Sequence, residues 1–457
     1  MPALRYERPR DRGLQVSGLF GGTFARGGAA FAVSDEAWFR ALLEVEGALA
    51  RAAARLGLVP TTAADAVSAA CADPARLDLA TVVAHAADAG NPVPPLVRAL
   101  RDAVGERDAV AVHVGATSQD ILDTALMLLA RDAVATIDTD LVAAAASAAA
   151  LAAAHRDDLV MGRTLMQQAL PTTFGLKAAV WLSGLDGARV RLAEVVASLP
   201  VQYGGAAGTL VASSGSGVGL RTALAAELNL ADTPVPWHTV RLPVADLAGA
   251  LGATAGVLAT VAVDVVLLAQ TEVGEVTEAG DAQGGSSAMP HKRNPVAAIS
   301  ARAGARRAPG LVATLLAAME QEHERAAGAW HSEWPTLTDL LTTVGSAAAW
   351  LRESLSGLRP DTARMAATVA AARDPEVAAA LAEALTPTLG RDAAHDAAAG
   401  AVREARGSGR PLREVLAGRT DVDAEALLSA AAPDPGEAAA QVDALLAEHR
   451  RLTEGTP

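Results

Sequence analysis

Three stretches, residues 121–154, 174–199 and 243–280, are dominated by Ala, Leu and Val, with Glu and Arg among their polar residues. These residues favour helix, and no polar/apolar alternation of period two competes with that preference. Polar blocks rich in Gly, Ser, Thr or Pro separate them, at 115–120, 162–173, 204–219 and 280–295. The pattern predicts an all-α chain whose long central helices form a bundle and carry chemistry at their ends. An earlier helix is expected from Ser34 to Leu56, where Ser34, Asp35 and Glu36 have the form of an N-cap and an acidic first turn. Two more helices are expected up to about Gly357, and the tail from Arg359 is Ala-rich and helical, broken at Pro387, Gly390 and Gly407.

The apolar run 247–276 has the length of a membrane span, but Asp264, Gln270, Glu272 and Glu275 interrupt it. A buried bundle helix tolerates such residues more readily than lipid does. The first residues are polar and Arg-rich, without the apolar core of a signal peptide, so a cytoplasmic protein with no membrane partner is expected. A net charge of −14 argues against nucleic acid, whose phosphates require a basic surface. The single cysteine, Cys71, excludes an internal disulfide or thiolate metal cluster and reads as a small buried hydrophobe.

Lysine is used sparingly. Of 38 basic side chains only Lys177 and Lys292 are lysines, which reads either as a need for a compact ammonium at those places or as compositional drift, the first favoured at Lys292 by its neighbourhood. Lys292 lies in Gly284-Gly285-Ser286-Ser287-Ala288-Met289-Pro290-His291-Lys292-Arg293-Asn294-Pro295. Flexible glycines let backbone N–H groups converge on an anion, while Lys292 and Asn294 add charge and hydrogen bonds. A serine becomes a base only where such groups stabilise its alkoxide in a dry site. From the pattern alone, this is an anion-binding loop or a solvated one.

The segment 285–294 resembles the signature loop of the fumarase/aspartase superfamily. Two further blocks agree in order: His113-Val114-Gly115-Ala116-Thr117-Ser118-Gln119-Asp120, and Gly162-Arg163-Thr164 through Gln167 and Pro171. The resemblance extends over residues 34–400 and implies a homotetramer of three-domain helical subunits, divided here at 1–114, 115–357 and 358–457. It implies a shared central bundle, with each active site assembled from three subunits around a small polycarboxylate substrate, and no cofactor or metal. By the same resemblance Ser286 is the catalytic base or acid, with Lys292 and His113 assisting. Thr117, Ser118, Thr164, Gln167, Ser287, Met289 and Asn294 are expected to bind substrate, and His238 and Arg241 lie where they could reach a carboxylate.

One departure bears directly on the chemistry. The superfamily usually reads Gly-Arg-Thr-His in the second block, whereas Leu165 follows Thr164 here. Leucine cannot transfer a proton, so the leaving group must depart unassisted. A carboxylate can, since its conjugate acid has a pKa of roughly 3.5 to 4. This resembles the branch that closes a lactone on 3-carboxy-cis,cis-muconate. So do residues 202–209, 236–239 and 322–334. Elimination of another good leaving group, such as nitrite from nitrosuccinate, stays open, and an adenylosuccinate-lyase-like C–N cleavage fits less well. His85, His155 and His449 read as surface or structural residues. His323 and His331, eight residues apart, lack the spacing of paired metal ligands on one helix face.

Overall fold

The computed structural model describes residues 18–211, 215–278, 284, 289, 292–372, 374–410, 412–417 and 433–454. It is mainly helical. The elements that matter for the site are α1 (Asp35–Arg55), α2 (Ser118–Ala154), β1 (Leu159–Thr164), β2 (Gln167–Thr173), α3 (Phe174–Ala197), α4 (Leu242–Leu268), β3 (Val276–Glu278), α5 (Ala329–Ser356) and β4 (Leu358–Pro360). The chain divides into two compact units. One comprises Met1–Leu141, Gly187–Ala262 and Ala297–Arg352, the other Val142–Asp186, Val263–Val296 and Glu353–Pro457.

In the first unit, α1 starts where its sequence says it should. The Ser34 hydroxyl accepts from Ala37 N–H at 3.3 Å, and Asp35 and Glu36 complement the positive end of the helix. Phe39, Leu42, Leu43, Val45, Leu49, Ala50 and Ala53 bury one broad face. Each fully buried leucine there contributes about 2 kcal/mol of hydrophobic stabilisation. The helix packs on Thr61–Ala72, where a Cβ added to Gly47 would stand at ordinary contact distance from Cys71, and on Gly217–Leu228. Burial first, then the Glu46 carboxylate, push the Cys71 thiol up to about 12, against a smaller opposing effect of Arg51. Iodoacetamide at pH 8 is therefore expected to alkylate Cys71 at least roughly 100-fold more slowly in the native than in the unfolded protein. Equal rates, followed by mass spectrometry, would contradict this packing.

In the second unit, Val377, Leu381, Leu385, Ala394, Ala398, Leu412 and Leu416 form one core between the tail helices Asp374–Leu389, Arg391–Ser408 and Leu412–Ala417. Block 162–173, expected as a polar break, is instead largely the antiparallel hairpin β1–β2. Its register shifts between Met161 and Arg163, where a Cβ on Gly162 would lie 2.6 Å from the Leu170 carbonyl oxygen. Glycine thus permits the close approach at the bulge.

The third long helix also ends early. α4 stops at Leu268, not near residue 280, and the chain turns through Gly274 at φ +62°. The cause is Glu275. Its carboxylate is fully buried and paired at 2.8 Å with both terminal nitrogens of Arg163, while its backbone joins the approach to β3, which pairs with β4. A charge that must reach a fixed partner outside the helix overrides the apolar run before it. Asp264, another interruption of that run, accepts from Trp181 Nε1 at 2.8 Å and lies 3.8 Å from Lys177 Nζ. One more helix than expected precedes residue 357, because 296–317 is split into Val296–Ala305 and Ala308–Ala317 at the Arg306–Arg307 turn.

Candidate active site

The first unit gathers His113, Thr117, Ser118, His238 and Arg241 around the turn that opens α2. Asp120 organises this turn from inside. Nearly fully buried, it accepts from Thr117 N–H at 3.0 Å, from Gly204 and Gly205 N–H at 2.9 Å, and faces His238 Nε2 at 2.7 Å. Gly204 has no room for a side chain, since a Cβ would meet the Pro236 ring at 2.6 Å. One carboxylate thus ties the 117–120 turn to the 204–205 loop.

A second buried carboxylate lies one helical turn on. Asp123 accepts two bonds from Arg241, at 2.7 and 3.1 Å, and further bonds from Trp330 Nε1, Gln119 and Gln202. Glu333, fully buried, takes the other edge of Arg241 at 2.5 to 3.2 Å. With the Trp237 carbonyl, these acceptors use all five guanidinium N–H groups. Arg241 therefore has no donor left for a substrate in this arrangement, and its role here is to hold Asp123 and Glu333. His238 is likewise buried and committed to Asp120. Burial pushes the Glu333 carboxyl up despite Arg241, with Asp123 adding to the effect. The cluster holds two carboxylates and one cation, so one carboxylate lacks a full counter-charge.

Arg325 completes the group and was not anticipated as a site residue, although its Glu-His-Glu-Arg segment stood out. It donates to Thr117 Oγ1 at 3.1 Å, to Gln119 Oε1 at 3.2 Å and to the Ala206 carbonyl at 3.1 Å. All are neutral acceptors, and no ion pair to Arg325 occurs among the described residues. Its guanidinium thus lies beside Thr117 and the half-buried Ser118 at the N-terminus of α2 without a direct ion pair among the described residues, an arrangement suited to a carboxylate. His113 lies four residues before Thr117, in the left-handed region at φ +61°, with Nδ1 2.6 Å from Glu46 Oε1.

In the second unit Thr164 and Gln167 pair directly across the β1–β2 hairpin, both exposed. The two residues between them, Leu165 and Met166, have φ of +50° and +65°. Positive φ at both positions is the mark of a type I′ turn, for which Asn-Gly is the usual sequence. Leu165 is 97% exposed and Met166 69%. Two bulky apolar residues are held in a costly conformation without cover from their own chain.

Of the Gly/Ser-rich loop, Ser286, Ser287 and His291 lie outside the described residues. Its ends are described. Gly284 O accepts from both Asn294 N–H at 2.9 Å and Asn294 Nδ2 at 3.0 Å, which clips the base of the loop. A Cβ on Gly284, at φ +79°, would lie 2.2 Å from the Asn294 carbonyl oxygen. Asn294 thus spends one amide hydrogen on the clip, and among the described residues no other side-chain bond engages it. Lys292 is exposed, and Met289 is 43% exposed.

The chain resembles known proteins over most of its length. The profile of a lyase family matches residues 19–310. The chain is 44% identical over 398 residues to 3-carboxy-cis,cis-muconate cycloisomerase of Bradyrhizobium diazoefficiens, covering 86% of this chain and 88% of that one. It is 46% identical over 403 residues to nitrosuccinate lyase of Streptomyces davaonensis, covering 86% and 85%. The crystal structure of 3-carboxy-cis,cis-muconate lactonizing enzyme from Pseudomonas putida superposes with a TM-score of 0.87 at 38% identity, over 95% of this chain and 99% of that one.

Proposed function

The chain belongs to the lyase family of the fumarase/aspartase superfamily, and on that premise we propose that it catalyses the cycloisomerisation of 3-carboxy-cis,cis-muconate to 4-carboxymuconolactone in the breakdown of aromatic compounds. The observation that carries this reading is the hairpin tip. Leu165 stands where most of the superfamily carries a histidine next to the threonine, and neither it nor Met166 beside it can donate a proton. A carboxylate leaving group, or its microscopic reverse as an attacking nucleophile, needs none.

In the forward direction one carboxylate oxygen adds to the conjugated double bond and closes a five-membered lactone. The displaced electron pair moves onto the neighbouring carboxylate as an aci-carboxylate. Protonation of the alpha carbon by Ser286 then completes the addition. Charge accumulates on that intermediate, so the cations contribute most there: Lys292 from the loop, and Arg325 beside Thr117 and Ser118. Thr164, Gln167, Ser287, Met289 and Asn294 complete the substrate contacts, while Arg241 and His238 hold the carboxylates that shape the first block.

The functional form is a cytoplasmic homotetramer whose sites draw on several subunits. Helices α2 and α4 support this assembly: both have the length and composition to cross a membrane, yet only 39% and 44% of their most apolar windows is buried within one chain. Neighbouring copies packed on α2 and α4 account for the remaining apolar surface. A second reading, release of nitrite from nitrosuccinate, is favoured by the similarity to the Streptomyces davaonensis lyase and uses the same unassisted departure.

A spectroscopic assay decides between them. Purified protein with 3-carboxy-cis,cis-muconate, without added metal or cofactor, is expected to consume the diene absorbance and yield a lactone. A folded protein that leaves the diene intact but releases nitrite from nitrosuccinate would replace the first reading with the second.

A further inference from the structure

α1 buries a single charged side chain on its apolar face. Glu46 is fully buried, one turn from Leu42, Leu43, Leu49 and Ala50, and nothing in the hydrophobic pattern of that helix calls for a carboxylate. An ionised carboxylate placed there without partners would be strongly destabilising. Both of its oxygens go to one residue: Oε1 lies 2.6 Å from His113 Nδ1, and Oε2 accepts from His113 backbone N–H at 3.0 Å.

We infer that Glu46 is a positioning residue for His113, a single buried carboxylate that clamps both the main chain and the ring of this histidine and so presents Nε2 to the substrate. The inference rests on the site assignment proposed above for His113. Two features of the geometry argue for it. His113 occupies the left-handed region at φ +61°, unfavourable for a residue with a Cβ, and the bond from its own N–H to Glu46 offsets that cost. With Nδ1–H pointed at a carboxylate the tautomer is set, leaving Nε2 without a protein partner among the described residues, on a side chain still 16% exposed.

The electrostatics point the same way. Burial, the largest single effect, disfavours the charged ring, but Glu46 and then Asp120 of α2 together outweigh it and the opposing Arg101 of the helix Val93–Val104, so the His113 pKa is raised. A ring kept protonated to higher pH can donate from Nε2 to a carboxylate of the polyanionic substrate. Glu46→Gln removes the charge and replaces one of the two acceptor oxygens with an NH₂ group that can only donate, so the two-oxygen clamp is lost.

The test uses two readouts. Diethylpyrocarbonate acylates neutral imidazole only, so the pH dependence of His113 labelling, read by peptide mass spectrometry, gives its titration point without turnover. In Glu46→Gln that point is expected to fall by about one pH unit, and the basic limb of kcat/KM for 3-carboxy-cis,cis-muconate to move with it, a loss of about tenfold above the limb. Glu46→Asp, which keeps the charge but lengthens the contact, is expected to shift both in the same direction by less, and serves if the Gln variant does not fold. A folded variant of either kind whose His113 titrates as in the wild type overturns the inference. Wild-type protein inactive on the muconate, with the labelling shift intact, removes the proposed reaction and leaves the Glu46 clamp standing.

Discussion

Replacing Ser286 with alanine is expected to lower kcat for lactone closure by about 100- to 10,000-fold, the range typical of a lost general acid or base. KM is expected to change little, because the carboxylate-binding groups remain. A serine hydroxyl transfers a proton at neutral pH only if its alkoxide is stabilised by nearby donors and a cation. The clip between Gly284 and Asn294 ties the two ends of the segment together, and Lys292 supplies an exposed ammonium eight residues beyond the glycine. Circular dichroism and sedimentation should find the variant folded, with the oligomeric state of the wild type. A variant retaining near-normal kcat would remove Ser286 from the proton transfer and shift attention to His113.

The second large effect concerns stability. Arg241→Ala is expected to destabilise the protein by about 3 to 5 kcal/mol, the usual consequence of stripping the partner from a buried charge. Here two carboxylates lose it together, since Asp123 and Glu333 share the same guanidinium. The loss should depend on pH. The folded-state pKa of Glu333 is already raised, mainly by burial, and removing Arg241 raises it further. A raised carboxyl favours the fold while protonated, below its unfolded value, and that contribution disappears as pH rises through its folded pKa. The deficit of the variant is therefore largest at neutral pH and narrows on acidification through the raised Glu333 range. Thermal midpoints of wild type and variant across pH would reveal this convergence. A constant gap would mean that lost packing, including the stacking of Arg241 on Trp237 at 4.6 Å, dominates instead.

Most helices could be read directly from the chain, because apolar spacing and caps such as Ser34 are local signals. The hairpin could not. Its turn lacks Asn or Gly, its second strand contains Pro171, and its bulge depends on how closely the Leu170 carbonyl approaches Gly162. The early end of α4 was equally hidden, since it follows from the pairing of Glu275 with Arg163, 112 positions away. In the site, Thr117, Ser118, Lys292 and Asn294 stood out because short blocks carry them. Glu46 gives no such signal, and Arg325 lies in a resembling block without being marked in it, because their significance lies in contacts to His113 and Thr117, 67 and 208 positions distant. Arg241 and His238 showed the converse: suitable residue types near the right block, enclosed by acceptors that only the fold brings together.

The hairpin tip also bears on how reactions diverge within one scaffold. Leu165 and Met166 project from a two-residue turn and support no core among the described residues, so a change at position 165 alters the cost of that turn and little else in the fold. Histidine is among the non-glycine residues that enter the left-handed region more readily. The same backbone can therefore carry a proton donor or a hydrocarbon at this point without rebuilding either strand. A lineage could pass between leaving groups that need an acid and those that do not through substitutions at one solvent-facing residue, with the rest of the molecule unaffected.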